Sequence, residues 1–262
     1  MSQTASDDIL LRDDRDGICT LTLNRPQARN ALSRQLMTAL QQQLDALRDD
    51  ASVTVVVLAA NGPAFCAGHD LKEVQSLHND QHLALFQQCS RMMMSIVTLP
   101  KPVIARVHAM ATAAGCQLVA SCDLAYAADS ARFATPGVNI GLFCSTPMVA
   151  LSRNVPRKIA MEMLLSGTPI PASRAAAFGL INEAVAAEEL DSAVYGMARA
   201  IASKSPLTLA IGKEAFYRQV EMPLADAYDY ASDVMARNMA AADAAEGIDA
   251  FLGKRPPQWC GR

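Results

Sequence analysis

At 262 residues, 51% of them hydrophobic, the chain can bury one large core or a core with an appended subdomain. A net charge of −3 with scattered Lys and Arg supplies no basic field, which excludes nucleic acid and anionic membrane surfaces as main partners. No apolar run approaches the roughly 20 residues of a bilayer span, and the opening MSQTASDD has neither a basic nor an apolar leader segment, so the cytoplasm is the expected location.

In chain order, GICTLTLN (17–24) alternates as a strand and LSRQLMTALQQQLDALRDD (32–50) carries apolar residues at helical spacing. VTVVVLAA (53–60) and KPVIARVHA (101–109) read as buried strands, a helix follows from Ala114, and CDLAYAAD (122–129) reads as another strand. Strand and helix alternate, which predicts the α/β class. From Val155 onward helices dominate, over 157–167, 171–180, 187–204, 206–219 and 223–242, so a C-terminal helical subdomain is expected. Seven cysteines, at 19, 66, 89, 116, 122, 144 and 260, form no C-x-x-C pair and have no His at metal spacing. Neither a disulfide frame nor a metal site is expected.

Two motifs carry chemistry. In FCAGHDLKE (65–73) the Ala67-Gly68 pair follows a strand and permits a tight turn that exposes the amide of His69. In ATAAGCQL (111–118) Gly115 opens a helix whose first N–H groups can receive negative charge. Facing each other, the two turns would form an oxyanion hole, a pair of backbone donors for a carbonyl oxygen that becomes enolate-like.

These stretches, with LNRPQARNALS (23–33), RFATPGVNIGL (132–142), PRKIAMEMLLSG (156–167), AFGLINEAV (177–185) and EGIDAFLGKRPPQW (246–259), resemble the crotonase superfamily, the enoyl-CoA hydratase/isomerase family. FATPGVNIGLFCSTP (133–147) is especially similar to its mitochondrial branch called enoyl-CoA hydratase domain-containing. The resemblance implies a crotonase-like ββα spiral core over 1–200 and a helical trimerisation subdomain over 201–262. It implies a homotrimer or a dimer of trimers acting as a lyase or isomerase on an acyl-CoA thioester. Coenzyme A would enter as part of the substrate, with no separate cofactor and no metal. The backbone amides of His69 and Ala114 would be the oxyanion donors. Ala31, Cys66, Ala67, Gly68, Asp70, Leu71, Gly115, Gln117, Pro136 and Gly137 would line the substrate path. Phe251 and Lys254 would reach the adenine and phosphate end.

Hydratases of the family carry a glutamate after the Gly-Cys of the helix and another after the proline. Here those positions hold Gln117 and Gly137. An amide is no general base at neutral pH, so a divergent hydratase is expected. The alternatives are an acyl-CoA hydrolase or other crotonase reaction, and a non-catalytic acyl-CoA-binding protein. Substitute proton carriers or nucleophiles are His69, Asp70, Glu73, Cys144 and Ser145, each with a plainer reading as pocket wall, helix cap or buried thiol. His78 and His82 fall in a polar stretch read as a loop.

Overall fold

The computed structural model describes residues 8–262. An antiparallel hairpin, β1 (Leu10–Arg15) and β2 (Ile18–Leu23), leads into helix α1 (Arg34–Arg48). Three ββα turns follow: β3 (Val55–Ala60), β4 (Ala64–Cys66), α2 (Leu71–Ser76) and α3 (Asn79–Val97); β5 (Val103–Val107), β6 (Met110–Thr112) and α4 (Ala114–Ser121); β7 (Leu124–Ala128), β8 (Arg132–Ala134), α5 (Pro147–Asn154) and α6 (Arg157–Ser166). The last turn enters through β9 (Ile170–Pro171), α7 (Ala172–Ala177) and β10 (Glu183–Val185). Each turn places one strand in a six-stranded sheet, ordered β1-β2-β3-β5-β7-β10, and one in a four-stranded sheet, ordered β4-β6-β8-β9. This is the expected ββα spiral.

Period-two burial explains how the larger sheet is covered on both faces. Val56, Leu58 and Ala60 of β3 enter the main core with Leu36, Met37, Leu40, Leu44 and Leu47 of α1, which recur at helical spacing. Val55 and Val57 point the other way, into a second core under α8 (Leu190–Ala202), where they meet Leu190, Val194 and Ala198. The Ser33 side chain caps α1 by accepting from the Leu36 amide at 3.2 Å.

Three helices complete the chain: α9 (Pro206–Gln219), α10 (Leu224–Met239) and α11 (Ala242–Leu252). Helix α9 contains no buried residue, yet its Lys213 side chain is only 7% exposed. Its ammonium donates to the Ile96 and Lys101 carbonyls at 2.9 and 3.0 Å and to Asp123 Oδ2 at 2.6 Å, while the Tyr217 hydroxyl donates to Asp123 Oδ1 at 3.0 Å. One polar plug thus pins α9 to the ends of α3 and β7.

Candidate active site

The loop before α1 builds one wall. Asn30 is fully buried with φ +53°, a left-handed conformation that Asn tolerates. Its amide donates to the Asn61 and Ala64 carbonyls at 2.7 and 2.9 Å, and its Oδ1 accepts from the Arg25 amide at 2.8 Å. The following backbone then runs beside the 67–70 turn: the Ala67 amide donates to Arg29 O at 3.0 Å and the Leu32 amide to Gly68 O at 2.7 Å. Ala31, between them, is buried, and its carbonyl accepts from Arg25 Nη1 at 2.6 Å.

Gly68 has φ +89°, and a β-carbon there would stand 2.9 Å from Ala113 Cβ and 3.3 Å from the Ala114 nitrogen. Glycine is required both for the angle and for the close approach. Gly115 is tighter still, because a β-carbon would meet the Cys66 carbonyl oxygen at 2.1 Å. The end of β4 and the start of α4 therefore touch through backbone. Between them Ala113 takes φ 49° and ψ −119°, a strained geometry for a non-glycine residue, and donates its amide to Ala134 O at 2.9 Å. Among the described residues, no hydrogen bond engages the amide of His69 or that of Ala114.

The side chains around this contact are mostly neutral. Both His69 ring nitrogens are buried without a hydrogen-bond partner, and the ring meets Phe86 edge-on at 5.4 Å. Burial pushes its pKa down, against a small opposing pull from the Leu32 backbone, so the imidazole is uncharged at neutral pH. Gln117, one turn into α4, is 5% exposed with Oε1 unpartnered. Thr135, before Pro136, is 1% exposed with its hydroxyl unpartnered. Gly137 is buried, and its amide donates to Cys144 Sγ at 3.3 Å. A β-carbon on Gly137 would lie 2.6 Å from Leu142 O and 2.9 Å from that sulfur, so its own loop fills the space a side chain would need.

The substitute carriers fare differently. Asp70 caps α2 by accepting from the Lys72 amide at 3.2 Å and pairs with Arg25 at 3.1 Å; burial opposes ionisation, but these donors hold its carboxyl below the usual range. Glu73 Oε2 accepts from the Arg34 amide at 2.9 Å, tying α2 to α1. Burial raises the Cys144 thiol and pushes those of Cys66 and Cys116 up to about 12, so none is a thiolate at neutral pH. Ser145 is exposed, and its hydroxyl donates only to the nearby Phe143 carbonyl at 3.4 Å. His78 and His82 do not sit in a loop: His78 is the N-cap residue of α3, and His82 in its first turn hydrogen-bonds the Val74 carbonyl at 3.0 Å.

The structure brings together Ala31, Cys66, Ala67, Gly68, His69, Asp70, Ala114, Gly115, Gln117, Pro136 and Gly137, while Leu71 opens α2 at 55% exposure. Phe251 and Lys254 stand apart on the C-terminal segment; Phe251 is 83% exposed, and among the described residues no hydrogen bond ties either to the two turns. Sequence reasoning missed Arg25, Asn30, Ala113 and Thr135. Only Asn30 carries a signal, as an Asn before an apolar helix start in a turn-rich stretch.

The family model described as Enoyl-CoA hydratase/isomerase matches residues 13–262. Enoyl-CoA hydratase domain-containing protein 3, mitochondrial, of Xenopus laevis is 48% identical over 93% of this chain and 83% of its own; the Homo sapiens protein of that name is 49% identical over 93% and 81%. The crystal structure of an enoyl-CoA hydratase from Mycobacterium smegmatis superposes with a TM-score of 0.95 at 52% identity, covering 97% of this chain and 99% of that one. The likeness to the domain-containing branch, read from 133–147, is therefore sustained along the chain. The expected cytoplasmic location is overturned: the relatives of this branch at 44–49% identity are named mitochondrial, and they point to that compartment instead.

Proposed function

The chain belongs to the enoyl-CoA hydratase/isomerase family, and from that premise we propose that it binds an acyl-CoA thioester with the carbonyl oxygen between the amides of His69 and Ala114. The observation that carries this reading is the backbone contact at Gly68, which sets the two turns side by side with both amides unengaged. Two preorganised donors in a dry site stabilise the negative charge that an enolate or tetrahedral centre develops. Coenzyme A enters as part of the substrate and no further cofactor is needed. Ala31, the 66–71 turn, Gly115, Gln117, Pro136 and Gly137 line the acyl and thioester path.

In this reading the chain is a divergent hydratase. No carboxylate stands at Gln117 or Gly137 to activate water, and Asp70 and Glu73 are both committed to helix ends. Each positioned acid or base is worth about 10²- to 10⁴-fold in rate. The neutral environment of Gln117 also favours a second reading in the same site, binding without rapid turnover. Residues 201–262 would join copies into a trimer or a dimer of trimers, and Phe251 and Lys254 would reach the coenzyme of a neighbouring copy.

The direct test is vibrational. An acyl-CoA labelled with ¹³C at the thioester carbonyl should show a carbonyl stretch shifted to lower frequency when bound, reporting polarisation by the two amides. An unshifted band from a saturated complex would remove the oxyanion hole. Crotonyl-CoA should be hydrated far below about 10 s⁻¹, a typical enzyme turnover, and release of free thiol would redirect the reading to hydrolysis.

A further inference from the structure

Leu32 and His69 form a parallel bridge of two rungs: the Leu32 amide donates to Gly68 O at 2.7 Å, and the Asp70 amide donates to Leu32 O at 3.3 Å. In a parallel pair one residue bonds the two neighbours of its partner, so the partner's own N–H and C=O face the other way. The bridge to Leu32 is therefore what leaves the His69 amide free and sets its direction. Its second rung is long, and long hydrogen bonds hold direction poorly.

Arg25 braces that rung. Two consecutive left-handed residues, Arg29 with φ 51° and Asn30 with φ 53°, fold the chain back on itself. Asn30 closes the loop, donating its backbone amide to Arg25 O at 2.9 Å and accepting from the Arg25 amide at 2.8 Å through Oδ1. The side chain launched from this fixed point donates from Nη1 to Ala31 O at 2.6 Å and from Nη2 to Asp70 Oδ2 at 3.1 Å. Ala31 precedes Leu32 and Asp70 follows His69, so one rigid guanidinium fork joins the two segments diagonally across the bridge. The Arg25 and Asp70 side chains are only 17% and 18% exposed, which shields the contact from water, and Asp70 Oδ1 is taken by the Lys72 amide at 3.2 Å.

We propose that Arg25 is a positioning residue for the oxyanion donor at His69, keeping that amide aimed at a thioester carbonyl without touching the substrate; the role rests on the acyl-CoA reading above. Both terminal nitrogens of Arg25 are already bonded within the chain, so its charge is spent on the 67–70 turn and not on the phosphates of a coenzyme. Removing one donor outright from such a hole costs about 10²- to 10³-fold in rate, so a donor that is merely misaimed still leaves a measurable loss of carbonyl polarisation.

The test reads the carbonyl band of saturating butyryl-CoA, labelled with ¹³C at the thioester, on the full-length protein, with dissociation constants measured alongside. Arg25→Met keeps the apolar stem and removes both donors. Asp70→Ser keeps a side-chain acceptor at the cap of α2 and takes away only the partner of the guanidinium. In each folded variant the shift to lower frequency should shrink by about half or more. The double variant should lose no more than Arg25→Met alone, because both residues act through one contact. A purely structural contribution would lower the unfolding midpoint and leave the band of the saturated complex where it was. An unchanged band in either folded single variant overturns the role, and so do additive losses in the double variant. An unchanged band with weakened affinity would make Arg25 a phosphate contact instead. Should Arg25→Met fail to fold, Asp70→Ser decides. A band that is unshifted in the wild type removes the oxyanion hole itself, whereas a wild-type shift that survives both substitutions removes only the role of Arg25.

Discussion

Gly137 is held to glycine by space, since its φ is not in the left-handed region while a β-carbon would press within 2.6 Å of the Leu142 carbonyl. The Leu142 amide also donates to Gly137 O at 2.9 Å, so that carbonyl belongs to a closed loop that cannot simply swing away. Gly137→Ala should therefore destabilise the fold by about 1–3 kcal/mol, as overpacking does, and urea unfolding measures it. An unchanged midpoint would mean the loop yields freely. A glutamate at this position would meet the same carbonyl and sulfur, so the loop would have to shift to admit it. His69 makes a second prediction. Its folded pKa is depressed below 6.5 by burial, so the unfolded chain binds the proton more readily. The stability it contributes is complete above pH 6.5 and is lost as the pH falls from there toward the depressed folded value. Between pH 7.5 and 5.5 the wild-type protein should lose more stability than His69→Leu, by at most about 1.4 kcal/mol per pH unit. Equal losses would show that the imidazole protonates in place. The two glycine turns were legible because close backbone approach at both, and a positive φ at Gly68, admit only glycine. The strain at Ala113 and the unpaired Thr135 were not, because nothing in an Ala or Thr announces them.

Helix α9 illustrates what an element's own pattern conceals. Its sequence reads as a helix, but with no buried residue it has no core-facing stripe, and its attachment depends on Lys213 and Tyr217 meeting Asp123. Burial raises Asp123 and lowers Lys213, each against the attraction of the other, and it raises Tyr217. The pair is therefore marginal as a stabiliser but severe to break, since removing one partner strands the other charge at a cost of about 3–5 kcal/mol. Lys213→Met should lower global stability by that order and speed amide exchange along α9 first. The double variant Lys213→Met with Asp123→Asn should recover part of the loss; no recovery would mean the plug acts through packing alone. Other elements were hidden for simpler reasons. Strands β4, β6, β8 and β9 have only two or three residues, too few to display a period of two. The polar start NDQH disguised α3, although Leu85, Cys89, Met92, Met93 and Ile96 below it are buried at helical spacing. Helices α1 and α8 were plain, because each buries a full stripe.

At the scale of the whole molecule, the C-terminal helices expose more apolar surface than one chain can cover. Phe216, Leu224, Tyr228, Met235, Phe251 and Leu252 are each at least 59% exposed. Exposed apolar surface on this scale is what an interface covers, and Ile248, Phe251 and Leu252 fall at i, i+3 and i+4 along one face of α11. Deleting the segment after α11 would be a poor probe of assembly, because it holds Asp243, buried in the first turn of that helix: burial alone would raise its carboxyl, but Ser205 Oγ and the Cys260 and Gly261 amides hold it down to about 2. Removal would leave that carboxylate with the Ser205 hydroxyl alone and loosen α11 for reasons unrelated to a partner. A point change separates the two effects. Phe251 is 83% exposed, so Phe251→Asp should alter the stability of one chain by no more than about 0.5 kcal/mol. In an assembly that covers this face, the same change buries an unpaired charge, at a cost of several kcal/mol. Light scattering should give a threefold or sixfold multiple of the 28.0 kDa chain for the wild-type protein and a smaller mass for the variant. Acyl-CoA affinity should fall with the mass if Phe251 serves a neighbour's site. A wild-type mass of 28.0 kDa would refute the assembly. A variant that keeps its full mass would place the interface on another face and leave Phe251 to solvent.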